Sequence, residues 1–95
     1  MRKIQKISVE QLCTSYSIET SFLQELHEHG LIELSWSGKE IFIDDEQISN
    51  VEKYMRMHYE LEINIPGIEA ITHLLHRMQH LQQEIKRLQG ESDNG

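Results

Sequence analysis

The sequence predicts a mainly α fold with a small β wing: two short helices joined by a tight turn, a hairpin, a third helix and one long C-terminal helix. Three observations predict it. Ile18, Phe22, Leu23 and Leu26 repeat at helical spacing and are followed by Gly30, a residue suited to a left-handed helix end. Ile41-Phe42-Ile43 is a β-branched and aromatic run just after Trp36-Ser37-Gly38-Lys39, which reads as a turn. Ile71, Leu74, Met78, Leu81, Ile85 and Leu88 alternate by three and four along the last third of the chain.

The elements follow in order. Met1 to Ile7 is short and basic, with Ile4 and Ile7 apolar, and reads as an edge strand. Ser8-Val9-Glu10-Gln11 has the Ser-x-x-Gln spacing of a capping box, so a helix starts there; Val9, Leu12 and Cys13 form its apolar side, and it stops near Ser15. Tyr16-Ser17-Ile18 is the turn, with Ser17 placed to cap a second helix whose first turn holds Glu19, favourable against the helix dipole. Two short helices joined in this way form a helix-turn-helix.

An extended segment begins over Leu31 to Leu34, and the hairpin wing ends at Asp44-Asp45-Glu46-Gln47, where either aspartate can cap. The third helix then covers about residues 46–61, with Ile48, Val51, Met55 and either Tyr59 or His58 facing inward. Asn64-Ile65-Pro66-Gly67 breaks the chain, and Pro66 fits the first turn of the fourth helix, where a missing donor costs nothing. That helix extends to about Gln89. The expected organisation is a winged helix-turn-helix domain over residues 1–65, a dimerisation helix over 66–89 and a disordered tail over 90–95.

The seam of Ile71, Leu74, Met78, Leu81, Ile85 and Leu88 spans nearly three heptads. Ile68 and Leu75 widen the stripe near the helix start, where it can lie on its own domain. A helix of this length reaches about 33 Å, so its distal part, from Met78 on, outruns so small a body. Self-association into a homodimer through this helix is the expectation.

Charge narrows the function. The net charge is -7, and between Ile7 and Gly38 there are five glutamates (Glu10, Glu19, Glu25, Glu28, Glu33) and no lysine or arginine. A module that grips DNA neutralises phosphates with Lys and Arg. Here the element that would enter the groove, from Glu19 to His29, is net negative, so DNA is disfavoured and a basic protein surface is favoured. Solubility alone is the plainer reading of the acidic balance. Glu25 and Glu28 lie three apart and share a helix side; Glu19 is nearly two turns from Glu25 and need not. Trp36, beside Gly38 at the wing tip, is either a partner anchor or a cover folded back over Phe42.

One cysteine, Cys13, excludes an internal disulfide and is consistent with a reducing, cytoplasmic setting; in its apolar pattern it reads as a buried, inert thiol. No apolar run approaches the roughly 20 residues of a membrane-spanning helix. His76 and His80 stand four apart on one helix with His73 before them, a spacing that can hold zinc, but they fall away from the leucine seam and read as a solvated face. His27 and His29 flank the end of the second helix, where a pH-dependent charge competes with a plain surface role. No nucleophile–base–orienter set and no glycine-rich phosphate loop is recognisable, so neither catalysis nor a cofactor is expected.

Several stretches resemble the MerR-type winged-helix regulators, and still more their shortened branch, the chaperone-modulator (CbpM-like) family. They are Ile7-Ser8-Val9-Glu10-Gln11-Leu12-Cys13, Leu26-His27-Glu28-His29-Gly30-Leu31-Ile32, Phe42-Ile43-Asp44-Asp45, Leu61-Glu62-Ile63-Asn64-Ile65-Pro66-Gly67-Ile68-Glu69-Ala70-Ile71 and His80-Leu81-Gln82-Gln83-Glu84-Ile85. The resemblance covers about residues 7–89. It implies a binding protein that engages and inhibits the J-domain of a DnaJ-like co-chaperone, whose basic helix suits an acidic face. The residues expected to meet it are Glu19, Glu25, Glu28 and Trp36. The resemblance also favours antiparallel pairing of the long helices. DNA-binding relatives keep arginines where this chain has Ser21, Gln24 and Glu28 in the helix and Lys39-Glu40 in the wing. A DNA-binding regulator is the alternative, and the basic Met1–Lys6 end (Arg2, Lys3, Lys6) with Lys39, Lys53 and Arg56 is the patch open to it.

Overall fold

In the computed structural model, which describes residues 3–93, the chain enters through a short strand, β1 (Lys6–Ser8), and turns directly into helix α1 (Val9–Tyr16). Ser8 caps that helix: the Gln11 amide donates to its Oγ at 3.4 Å. Met1 and Arg2, the first residues of the expected strand, lie outside the described residues.

Ser17 does not cap the second helix. It adopts the left-handed conformation at φ 56° and ends the first one. Its N–H bonds the Thr14 carbonyl at 3.4 Å and the Ile18 N–H bonds the Cys13 carbonyl at 3.0 Å, the paired bonds of a Schellman end. Both residues are used in closing α1, so helix α2 (Thr20–Glu28) starts later, with Glu19 at its N-cap and no side-chain capping bond. Gly30, at φ 73°, ends α2 with the same pair of bonds, Gly30 to His27 at 3.0 Å and Leu31 to Leu26 at 2.9 Å.

The wing is shorter than its sequence suggested. Leu31 to Leu34 forms no strand; Ile32 and Leu34 are buried in the core instead, and the Gln47 side chain clamps the backbone. Its amide oxygen accepts from the Glu33 N–H at 2.7 Å and its amide nitrogen donates to the Glu33 carbonyl at 2.8 Å. Strand β2 (Ser35–Ser37) takes in Trp36 and Ser37, which were expected in the turn, and only Gly38 and Lys39 separate it from β3 (Glu40–Asp44). Gly38, at φ 63°, supplies the positive φ that a two-residue hairpin needs at its first central position. The sheet is antiparallel in the order β1-β3-β2, so the N-terminal strand completes the wing as its far edge.

A 3₁₀ turn (Asp45–Gln47) leads into helix α3 (Ile48–Met55), and a π-helical turn (Arg56–Glu60) follows. Val51 and Tyr54 are its buried residues, while Ile48 and Met55 are half-buried. Tyr54 was not foreseen as core; its hydroxyl reaches the Leu31 carbonyl at 3.5 Å, which gives the buried oxygen a partner.

Helix α4 (Ile65–Asp93) starts on Asn64, whose side chain accepts from the Gly67 N–H at 2.8 Å. Ile65, Ile68 and Thr72 press its first turns onto the body. Beyond them the helix leaves the domain and stretches the molecule to 58 Å. It continues past Gln89, the expected end, and the last two residues of the expected tail lie outside the described residues. The centre of the core is the α2 stripe: Leu23 and Leu26 are fully buried among Val9 and Leu12 of α1, Val51 of α3 and Ile68 of α4. Each such side chain contributes about 1.5–3 kcal/mol by leaving water.

Gly67 is needed for space as well as for its capped amide. A Cβ there would meet the Ile63 Cγ2 at 2.9 Å and the Asn64 Oδ1 at 3.0 Å. In an open helix Gly→Ala stabilises by about 1 kcal/mol. Here Gly67→Ala should instead lower stability by about 1–2 kcal/mol, because the added methyl displaces the cap. Denaturant unfolding checks this, and a gain in stability would contradict it.

Candidate functional site

Burying Phe22, Leu23 and Leu26 decides what α2 shows to solvent. The opposite side carries Ser21, Gln24, Glu25 and Glu28, all exposed and none basic. In a helix-turn-helix this outward side of the second helix is the one available to read a partner. It offers carboxylates and neutral hydrogen-bonding groups.

Trp36 lies at the end of α2 that carries Glu25 and Glu28. On β2 it pairs with Ile41, so it stands on the sheet face opposite to Phe42 and cannot fold over that residue. Its ring instead rests on His27, 5.2 Å between centroids, and 53% of the residue stays exposed. His27 is held by a bond between its Nδ1 and the Ile32 carbonyl at 3.2 Å. His29, two residues on, bonds Glu69 of α4 through Nδ1 at 2.7 Å and ties the end of α2 to the base of the long helix.

Glu19 stands apart from this group. It sits at the other end of α2, accepting from Ser21 Oγ at 3.3 Å and lying beside Tyr59. Tyr59 belongs to the π-helical turn, and that turn settles which of residues 58 and 59 faces inward. His58 is half-buried, stacked on Phe22 at 5.1 Å and bonded to the Ile63 carbonyl at 2.9 Å. Tyr59 is turned outward and 50% exposed, though its ring still touches Phe22 at 5.2 Å. A groove of about 380 Å³ lies between this turn, α3 and the end of α1. Sequence reasoning missed it, because a regular helix over residues 46–61 would not have opened the backbone at Arg56.

Both tyrosines of the groove feel carboxylates. The Tyr16 hydroxyl donates to Glu52 Oε2 at 3.0 Å, which holds its pKa above the ordinary phenol value. Tyr59 is raised by burial first and by the nearby Glu19 second. Burial pushes the Cys13 thiol up, against a smaller opposing effect from Thr20, as suits an unreactive core sulfur.

The apolar seam of α4 is the other exposed feature. Leu74, Met78, Leu81, Ile85 and Leu88 are between 53% and 59% exposed, and Ile71 is half-buried. His73, His76 and His80 are exposed on the same helix. Among the described residues no group of three or more His, Cys, Asp or Glu is placed to hold a metal ion. No helix of the described residues is long and apolar enough to cross a membrane.

A helix-turn-helix with a three-stranded wing and a projecting last helix defines a class, and comparison of the sequence identifies it. The model of the MerR HTH family regulatory protein matches residues 7–90, and the chain belongs to that family. Among curated proteins it is similar to the chaperone modulatory protein CbpM of Pseudomonas entomophila, 27% identical over 82 residues that cover 85% of this chain and 81% of the relative. The CbpM of Pseudomonas putida strain W619 is 28% identical over the same shares of the two chains. That of Coxiella burnetii strain Dugway is 29% identical over 84 residues, 87% of this chain and 79% of the relative. No solved structure matches.

The raised phenols carry a pH consequence. A group whose pKa is higher in the fold than in the unfolded chain favours the neutral form when folded. Its contribution is therefore complete below the unfolded phenol pKa of about 10 and is lost as pH rises through the folded value. The melting temperature should fall above about pH 10, and Glu52→Gln should bring the Tyr16 ionisation down in an ultraviolet titration. An unchanged Tyr16 titration in that variant would contradict the assignment.

Proposed function

We propose that this chain is a non-catalytic cytoplasmic regulator that binds the J-domain of a DnaJ-like co-chaperone and inhibits it. One observation carries the reading: the outward side of α2 bears Glu25 and Glu28 and no basic residue. That composition repels a phosphate backbone and attracts a basic helix. Lys6 on β1, Lys39 in the hairpin turn, Lys53 on α3 and Arg56 in the π-helical turn all stand outside α2. The chaperone modulatory names of the relatives, which cover most of this chain, support the same direction.

The surface charges act mainly on encounter. Exposed ion pairs contribute only about 0.2–1 kcal/mol each, so Glu25 and Glu28 steer the partner, and the half-exposed Trp36 ring supplies apolar contact once it has docked. Glu25→Lys with Glu28→Lys should slow association with an immobilised J-domain by about tenfold and flatten its salt dependence. Trp36→Ala should speed dissociation instead. If both variants bind like wild type, the partner does not dock on this end of α2.

The protein works as a homodimer in this reading. The exposed seam of α4 supports it: covering Leu74, Met78, Leu81, Ile85 and Leu88 against a like helix removes apolar surface at about 25 cal/mol per Å². Met78→Asp with Leu81→Asp should give a folded monomer in sedimentation. A wild-type chain that sediments as a monomer at high micromolar concentration would contradict the pairing.

A further inference from the structure

The π-helical turn after α3 and the groove beside it are used by neither the acidic end of α2 nor the seam. A π turn opens the backbone hydrogen-bond ladder and is frequent at functional sites. Here it is closed by a second uncommon feature, Glu62 in the left-handed conformation at φ 57°. Together they turn Tyr59 and Leu61 out into solvent, 50% and 65% exposed, from a segment that an unbroken helix would have rotated differently.

The groove's composition says what fits it. Its walls are the Tyr16 and Tyr59 rings with Ile18 and Met55, and Glu52 and Glu60 stand among them. Glu19 adds a carboxylate beside Tyr59. Among the described residues that line it, Glu52 and Glu60 supply two carboxylates and Arg56 a single guanidinium. Aromatic faces and carboxylates both attract a cation that carries an aliphatic stem, and lysine and arginine have that form.

From this geometry we infer that the Tyr16–Tyr59 groove docks a basic, partly apolar helix of a protein partner, seating a Lys or Arg side chain between the tyrosines and the Glu52 and Glu60 carboxylates. The inference deepens the J-domain reading by giving the basic partner a second point of attachment, and it rests on that reading only for the partner's name. It also gives a setting to Glu19, which lies beside Tyr59 at the groove's edge and away from the Glu25 and Glu28 end.

The test uses the isotope-labelled full chain and two probes: a fifteen-residue amphipathic peptide of lysine and leucine, about +7 in charge, and the isolated J-domain. Amide shifts on titration should centre on Tyr16, Ile18, Met55 and Tyr59 for both. Glu52→Gln with Glu60→Gln keeps the hydrogen-bond acceptor of Tyr16 and should raise the Kd about threefold to tenfold. Arg56→Gln should lower it, a change of opposite sign that mere loss of folding cannot produce. If the peptide maps to the groove and the J-domain does not bind, the groove stands and the J-domain reading fails. If the J-domain binds with shifts confined to Glu25, Glu28 and Trp36, the reading stands and the groove fails. Shifts of the peptide confined to the α4 seam, or a Kd indifferent to all three substitutions, overturn the inference.

Discussion

The burial of one apolar stripe on α2 organises the rest of the molecule. Phe22, Leu23 and Leu26 meet α1, α3 and the base of α4 at the centre of the core. A helix that commits this side inward has no choice about what its opposite side displays. Ser21, Gln24, Glu25 and Glu28 are therefore presented to solvent by the same packing that stabilises the domain. Rotating α2 to hide the carboxylates would expose two leucines that are now fully buried, at a cost of about 1.5–3 kcal/mol each. The electrostatic character of the outward side of α2 is thus fixed by the hydrophobic core.

The same stripe links the other surfaces. Phe22 carries the His58 and Tyr59 rings, which position the π-helical turn. At the far end of α2, His27 supports Trp36 and His29 holds Glu69 of the long helix. The projecting α4 and the wing are therefore both referenced to one nine-residue element. A partner that pulls on either end of α2 acts on an element tied by side-chain bonds to the base of the dimerisation helix proposed above.

Much of this was legible in the residues. The apolar spacing of Ile18, Phe22, Leu23 and Leu26 locates α2, Gly30 its end, and Ser8 the start of α1, because each rests on local chemistry that few backbone conformations satisfy. What was not legible depended on competition between neighbours. Ser17 is a good N-cap by composition, but closing α1 claimed it first. Gly38, two residues on, suggests a turn at Trp36, whereas pairing with Ile41 draws Trp36 into β2 and onto His27. Tyr54 and Met55 both follow Val51 at helical steps, so spacing alone did not choose between them, and the π turn, a departure from the regular period, sets His58 inward and Tyr59 outward. At the candidate site, Glu25 and Glu28 were readable from their spacing of three, while the separation of Glu19 and its approach to Tyr59 required the fold.

In the function proposed above, the winged helix-turn-helix of this chain reads a basic protein surface and not a duplex. The most direct measurement is a side-by-side binding assay at physiological salt, in which the intact protein meets a fluorescent J-domain and a fluorescent library of genomic duplexes. A saturable J-domain complex that excess duplex DNA does not displace, with no discrete DNA complex, is the predicted result. A tight, sequence-selective DNA complex that survives competitor DNA, with no J-domain binding, would contradict it.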